Sequence, residues 1–181
     1  SGTVTQYVST HHDITERKRA ERQSEGERSV LELLAKGEAL PVLLTRLALS
    51  YEAMYPGILC SVLLLDAEGR HLTHSAAPSL PAAYCQAIDG MEIGPLVGSC
   101  GTAAYTGQTT MVADIASDPL WRDYKALALA HGLLACWSVP ILSTKGRVLG
   151  TFALYHRTPR AAQPEELAAV ERGAHLASLA I

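Results

Sequence analysis

The chain has no asparagine, a single phenylalanine and four cysteines among its 181 residues. No apolar run approaches the roughly 18 residues that a membrane span needs, so no membrane contact is expected. Positive charge is thin as well. Fifteen Lys and Arg against eighteen Asp and Glu leave a formal net charge of −3. The basic residues are scattered and form no stripe that would neutralise a phosphate backbone, which argues against nucleic acid as a partner. Cys60, Cys85, Cys100 and Cys136 contain no C-x-x-C pair, and nothing from Ser1 onward reads as a secretory signal. The expectation is a reduced thiol set in a cytoplasmic protein. None of the seven histidines stands at zinc-ligand spacing to a cysteine or to a second histidine, so no metal and no other cofactor is expected. His11 and His12 fall in a linker, His71 and His74 in a strand, and His131, His156 and His175 stand apart. Solvated or core-edge imidazole is the ordinary reading for each.

What is present is a globular balance, with 48% hydrophobic and 18% charged residues. Single domains cluster at roughly 100 to 150 residues, so this length suits one well-cored domain with an appendage. The first residue is not Met and the last lies inside an unfinished helical pattern, and we expect a piece of a longer polypeptide. Residues 2 to 8, "GTVTQYV", alternate as a short strand does. "HHDITERKRAERQ" is polar on every side and has no core face. Ser24 and Glu27 have capping-box spacing for a new helix start, and Gly37 predicts a break. Leu40, Leu43, Leu44, Leu47, Tyr51 and Met54 recur at helical spacing until Pro56-Gly57. "ILCSVLLL" (58–65) and "RHLTHSAA" predict one hairpin; "LLACWSVPIL" and "RVLGTFALYH", joined by "STKG", predict a second. Pro140 argues mildly against a regular central strand, because it cannot donate to the ladder. Between the hairpins, "PAAYCQAI" predicts one or two helical turns, "TTMVADI" a strand, and "DPLWRDYKALALAHG" a helix capped by Asp118 and stopped by Gly132. A last helix begins near Pro164 and runs through Ile181. Helix, hairpin, short pieces, hairpin, helix is an α+β sandwich.

This order, with "GSCGTAAYTGQTTMVADIASDP" and "GLLACWSVPI…GRVLGTFALY", resembles the GAF domain of bacterial signalling proteins over about residues 30 to 181. The G-x-x-G-x-A turn, the "tGq…v.D" strand, the "dP" helix and the "S.PI…g…GvL" hairpin all occur in order. Separately, "GTVTQYV…HHDITERKRAE" resembles the closing strand and exit linker of a PAS domain, carried by Asp13, Ile14, Thr15, Glu16, Arg17 and Lys18. The resulting division is residues 1–13 as the end of a PAS domain, 14–29 as a helical linker and 30–181 as the GAF domain. The resemblance implies a six-stranded antiparallel sheet, with terminal helices on one face and short helices and loops covering a pocket on the other. It also implies terminal helices that pair across a homodimer and feed an output domain, either a histidine kinase or a cyclic-di-GMP synthase or hydrolase.

The stretch "IGPLVGSCGTAAYTGQ" (93–108) holds the candidate chemistry. Cys100 stands between glycines at the opening of a helix. A thiol nucleophile needs a cation or a helix N-terminus to lower its pKa, and no Lys, Arg or His lies within nine residues in sequence. A buried, inert thiol in a tight turn is the commoner case. Some GAF relatives reduce free methionine sulfoxide, and Cys100 matches one cysteine position of that pattern, whereas Cys136 does not match the partner position. "GSCGTA" lacks the G-K-[ST] ending and the G-x-G-x-x-G spacing of phosphate loops. The cyclic-nucleotide signature of other relatives is absent, and "KALALAHG" offers no thiol for a bilin.

A pocket remains. Trp121 and Tyr124 sit on the lid helix and Trp137 and Ser138 on the strand beneath. With Tyr84, Ser99, Cys100 and Thr102 they predict an aromatic recess with a few hydroxyl and thiol groups, suited to a small neutral or aromatic ligand. The expected function is a non-catalytic sensory module that regulates a downstream output. The alternatives are a thiol redox enzyme or sensor centred on Cys100 and a ligand-free dimerisation spacer.

Overall fold

A computed structural model describes residues 5–181, with side chains from Arg17 onward apart from Arg19. The first helix, α1, spans Thr5–Ala35 and is one continuous rod. The strand expected over residues 2 to 8 is not formed at 5–8, which are helical, and residues 1–4 lie outside the described residues. Nor does a helix start at Ser24, because α1 passes through it. Ion pairs one turn apart, Arg17 Nε to Glu21 at 3.0 Å and Arg28 Nε to Glu32 at 3.2 Å, support the exposed side of this helix. Among its described side chains Val30 is the buried apolar contact. The break at Gly37 is present, with φ of 71°.

Helix α2, Leu40–Met54, follows the predicted stripe and buries Leu43, Leu44, Leu47, Ala48, Tyr51 and Met54. The first hairpin is β1, Ile58–Leu65, with β2, His71–Ala76. Short α3, Ala82–Ile88, leads to the two-residue β3, Met91–Glu92, which sequence patterning misses. Then come α4, Gly98–Thr106, and β4, Thr110–Val112. The single helix expected over 118–131 is split into a 3-10 turn, Pro119–Trp121, and α5, Lys125–Ala130. Asp118 caps the turn as predicted, its carboxylate accepting from the Leu120 amide at 2.9 Å. The second hairpin is β5, Ala135–Leu142, with β6, Val148–His156, and α6, Pro164–Ala180, completes the chain.

The six strands form one antiparallel sheet in the order β3-β2-β1-β6-β5-β4. Both predicted hairpins lie in it, joined through β1 and β6. Pro140 is accommodated because β4 ends opposite Ser138, so beyond that point β5 has a ladder neighbour on one side only.

Two cores lie on opposite faces. On one, α2 and α6 cover Cys60, Val62, Val139, Ile141, Phe152 and Leu154, with Val30 of α1 joining them. Tyr51 of α2 donates its hydroxyl to the Ala169 carbonyl of α6 at 2.6 Å, and its ring meets Phe152 edge-on at 5.0 Å. Gly173 allows that approach, since a Cβ there would lie 2.7 Å from Phe152 and 2.9 Å from Tyr51. On the other face, α3, α4, the 3-10 turn and α5 cover Leu63, Cys136, Ala153 and Tyr155.

Candidate functional site

A strand sends successive side chains to opposite faces, and this decides which predicted residues meet. In β5, Cys136 and Ser138 face α4, while Trp137 faces α6. Trp137 therefore leaves the predicted site. Its ring lies 4.1 Å from that of His156, its Nε1–H donates to the Arg160 carbonyl at 3.3 Å, and the Arg160 guanidinium sits 5.1 Å above it. Arg160 in turn grips Glu166, at 2.6 Å to one oxygen and 2.8 Å to the other. Trp137 is thus part of a clasp between β6 and the start of α6. Thr102 also falls outside the recess. Its hydroxyl accepts from the Val97 amide at 3.3 Å and donates to the Pro95 carbonyl at 3.5 Å, which holds the loop before α4.

Ser138 shares the Cys136 face of β5 but does not line the cavity that the other five predicted residues form. Tyr84, Ser99, Cys100, Trp121 and Tyr124 line one cavity, together with Ile88, Met91, Val97, Gly98 and Tyr155. Its free volume is about 10 Å³, room for roughly one water. The indole of Trp121, which is buried, donates to Ser99 Oγ at 3.1 Å, and Ser99 Oγ donates to the Cys136 carbonyl at 3.0 Å. Lid turn, helix α4 and strand β5 are thereby tied in series.

Beneath Ser99 is a group of thiols and hydroxyls. Cys100 Sγ lies 3.6 Å from Tyr155 Oη, and Tyr155 stands directly across the β5–β6 ladder from Cys136. Tyr84 packs edge-on against Tyr155 with ring centres 5.8 Å apart. The Cys136 thiol is within hydrogen-bonding reach of the Cys100 sulfur. The hydroxyls of Ser61, Ser138 and Thr151 are buried without a conventional partner. Those of Ser138 and Thr151 lie close enough to Cys100 to bias its titration without bonding to it.

The neighbouring Cys136 thiol, with smaller help from the hydroxyls of Ser138, Tyr155 and Thr151, lowers the Cys100 thiol below its usual range against the opposing effect of burial. Burial, together with the neighbouring Cys100, pushes the Cys136 thiol well above its usual range. Burial likewise raises Tyr84 and Tyr155. One proton of the thiol pair is thus loosely held and the other tightly held. A second thiol does this here first, helped by hydroxyls, and not the cation or helix terminus for which a sequence search looks. Sequence reasoning set Cys136 aside as a partner for Cys100 and did not consider Tyr155, and the structure brings both into the Cys100 cluster. The parity of β5 would have found Cys136, because it shares a face with Ser138.

Among the described residues, no group of His, Cys, Asp and Glu is arranged to hold a metal ion, and no helix is long and apolar enough to cross a membrane. The profile of the GAF domain family matches residues 38–181.

The chain belongs to the GAF domain family.

It is 41% identical over 180 residues to the methyl sulfide methyltransferase-associated sensor of Methanosarcina acetivorans. That alignment takes in 99% of this chain but 18% of the relative, so the chain spans about a fifth of that sensor's length. Among solved structures, a GAF domain superposes with a TM-score of 0.74 at 18% identity, covering 90% of this chain and 88% of that one. The free methionine-R-sulfoxide reductase of Neisseria meningitidis, solved with its substrate, superposes with a TM-score of 0.71 at 17% identity, covering 90% and 87%. At such identities these two likenesses speak for the GAF fold alone. The chain is a GAF domain related to a sensor protein.

Proposed function

We propose that this GAF domain is a non-catalytic sensory module of a cytoplasmic signal-transduction protein. A small neutral or aromatic molecule enters beneath the Trp121 turn, and its arrival is relayed to the terminal helices. The observation that carries this reading is the serial bond from Trp121 Nε1 through Ser99 Oγ to the Cys136 carbonyl. Its last member sits on β5, whose reverse face packs Val139 and Ile141 against the helical layer. A cavity of about 10 Å³ holds no aromatic ring, so binding requires the Trp121 turn to swing out. That breaks the first link of the series and frees α4 to shift on the sheet.

The output is an enzyme domain elsewhere in the polypeptide, either a histidine kinase or a cyclic-di-GMP cyclase or phosphodiesterase, with a PAS domain preceding the chain. Two chains pair through their terminal helices. Leu31 of α1, Val42 and Leu49 of α2 and Leu179 of α6 are each 41–50% exposed, which supports a covered apolar face. No nucleic acid takes part.

Native mass spectrometry of the purified chain, followed by a melting screen against small neutral and aromatic metabolites, tests the reading. A bound species that raises the melting temperature of the wild type but not of Trp121→Ala is expected. The absence of any such species would leave a dimerisation spacer.

A further inference from the structure

The Cys100 and Cys136 thiols belong to one buried cluster, and three contacts hold their elements together there. Cys100 Sγ touches Tyr155 Oη at 3.6 Å. Tyr155 is the cross-strand partner of Cys136. Ser99, the residue before Cys100, bonds the Cys136 carbonyl at 3.0 Å. Around the pair lie the hydroxyls of Ser138 and Thr151, which have no conventional partner despite full burial. Buried polar atoms without partners are rare and call for a reason.

We propose that Cys100 and Cys136 form a reversible two-electron redox site that a small hydroperoxide converts to an intramolecular disulfide. Cys100 is the sulfur that meets the peroxide, because it lines the cavity and Cys136 does not. A peroxide is little larger than the water for which this space has room. The Cys100 thiolate attacks one peroxide oxygen; an S–O bond forms, the O–O bond breaks, and the departing oxygen leaves as water, or as an alcohol from an organic peroxide, after taking up the thiol proton. The Tyr155 hydroxyl, 3.6 Å from Cys100 Sγ, can donate to the thiolate and then to the sulfenic acid oxygen, and the unpartnered hydroxyls of Ser138 and Thr151 are free to join it. Cys136 then attacks Cys100 Sγ, an S–S bond forms, the S–O bond breaks, and the hydroxide leaves with the Cys136 proton as a second water. Two thiols and one peroxide thus give one disulfide with oxygen fully reduced, and a thiol reductant reverses the step. The bond would rivet α4 to β5 directly under Ser99, the middle link of the lid relay. Cys60 faces the opposite core and does not compete for Cys136, while Cys85 is half-buried on α3 at the margin of the same core and is outside the cavity lining.

The experiment treats the reduced full chain with a few equivalents of hydrogen peroxide, blocks free thiols under denaturing conditions, and maps disulfides by peptide mass spectrometry. The expected result is a loss of two hydrogen atoms, with Cys100 and Cys136 joined and Cys60 and Cys85 alkylated, all restored by dithiothreitol. Cys136→Ser should accumulate a Cys100 sulfenic acid trapped by dimedone, and Cys100→Ser should lower the rate of peroxide consumption by about tenfold or more. Because the wild-type map stands without any variant, a misfolded substitution does not blunt the test. Failure to react, a bond involving Cys60 or Cys85, or Cys100 carried past sulfenic acid without cross-linking would each overturn the proposal. None of these outcomes bears on whether the cavity takes a ligand.

Discussion

His156 ends β6 with its ring buried against Trp137 and its Nε2 without a partner. Burial, reinforced by the Arg160 charge, lowers its pKa from 6.5 to about 4, while Glu166 pulls weakly the other way. The folded chain therefore holds the neutral ring. Between these values the unfolded chain binds the proton that the folded chain refuses, so stability falls as the pH drops from 6.5 towards 4. A loss of about 2 kcal/mol at pH 5 relative to pH 7.5 is expected from this residue. Urea melts at the two pH values should show that difference in the wild type and a clearly smaller one in His156→Gln. Ser99 gives a second prediction at this scale. Ser99→Ala strands both the Trp121 N–H and the Cys136 carbonyl, at a cost of about 2–3 kcal/mol, read as a lower denaturation midpoint with an unchanged slope.

Close approach at two of the glycines shows how the elements fit. A Cβ at Gly150 of β6 would sit on the Leu63 carbonyl oxygen of β1, a backbone atom with nowhere to go. Gly150→Ala should therefore cost about 2–4 kcal/mol, whereas Gly173→Ala should cost less, because Phe152 and Tyr51 can turn. Denaturant melts of the two variants check the order. The elements themselves were largely legible. The stripe Leu40 to Met54 and the two apolar hairpins declare their periods, and a single sheet with helices behind it follows the resemblance. Three features were not. The α1 rod is supported by exposed ion pairs, which leave no hydrophobic signature. β3 is two residues long, too short for any alternation. The lid breaks after Trp121, where seating the indole against Ser99 overrides the helical propensity of 118–131. Of the predicted recess, Tyr84, Ser99, Cys100, Trp121 and Tyr124 do share one cavity lining. Trp137 was misplaced because neighbours on a strand were read as companions, and Cys136 was passed over although two-residue parity pairs it with Ser138.

At the scale of the whole molecule, the outer helical layer carries the test of assembly. A groove of about 420 Å³ runs along Leu33, Pro41, Val42, Thr45, Arg46 and Leu49. If two chains pair there, light scattering should give twice the 19.3 kDa chain mass, and Val42→Glu with Leu49→Glu should return it to one copy without changing the melting curve of the isolated fold. The two faces of the sheet also limit how this domain can vary. Because odd positions of β5 serve the helices and even positions the thiol recess, adding one residue between Trp137 and Ser138 would transplant an indole into the redox nest and a thiol beneath α6. Length changes are thus confined to the connecting turns, and the central strands can diverge only by exchange of side chains.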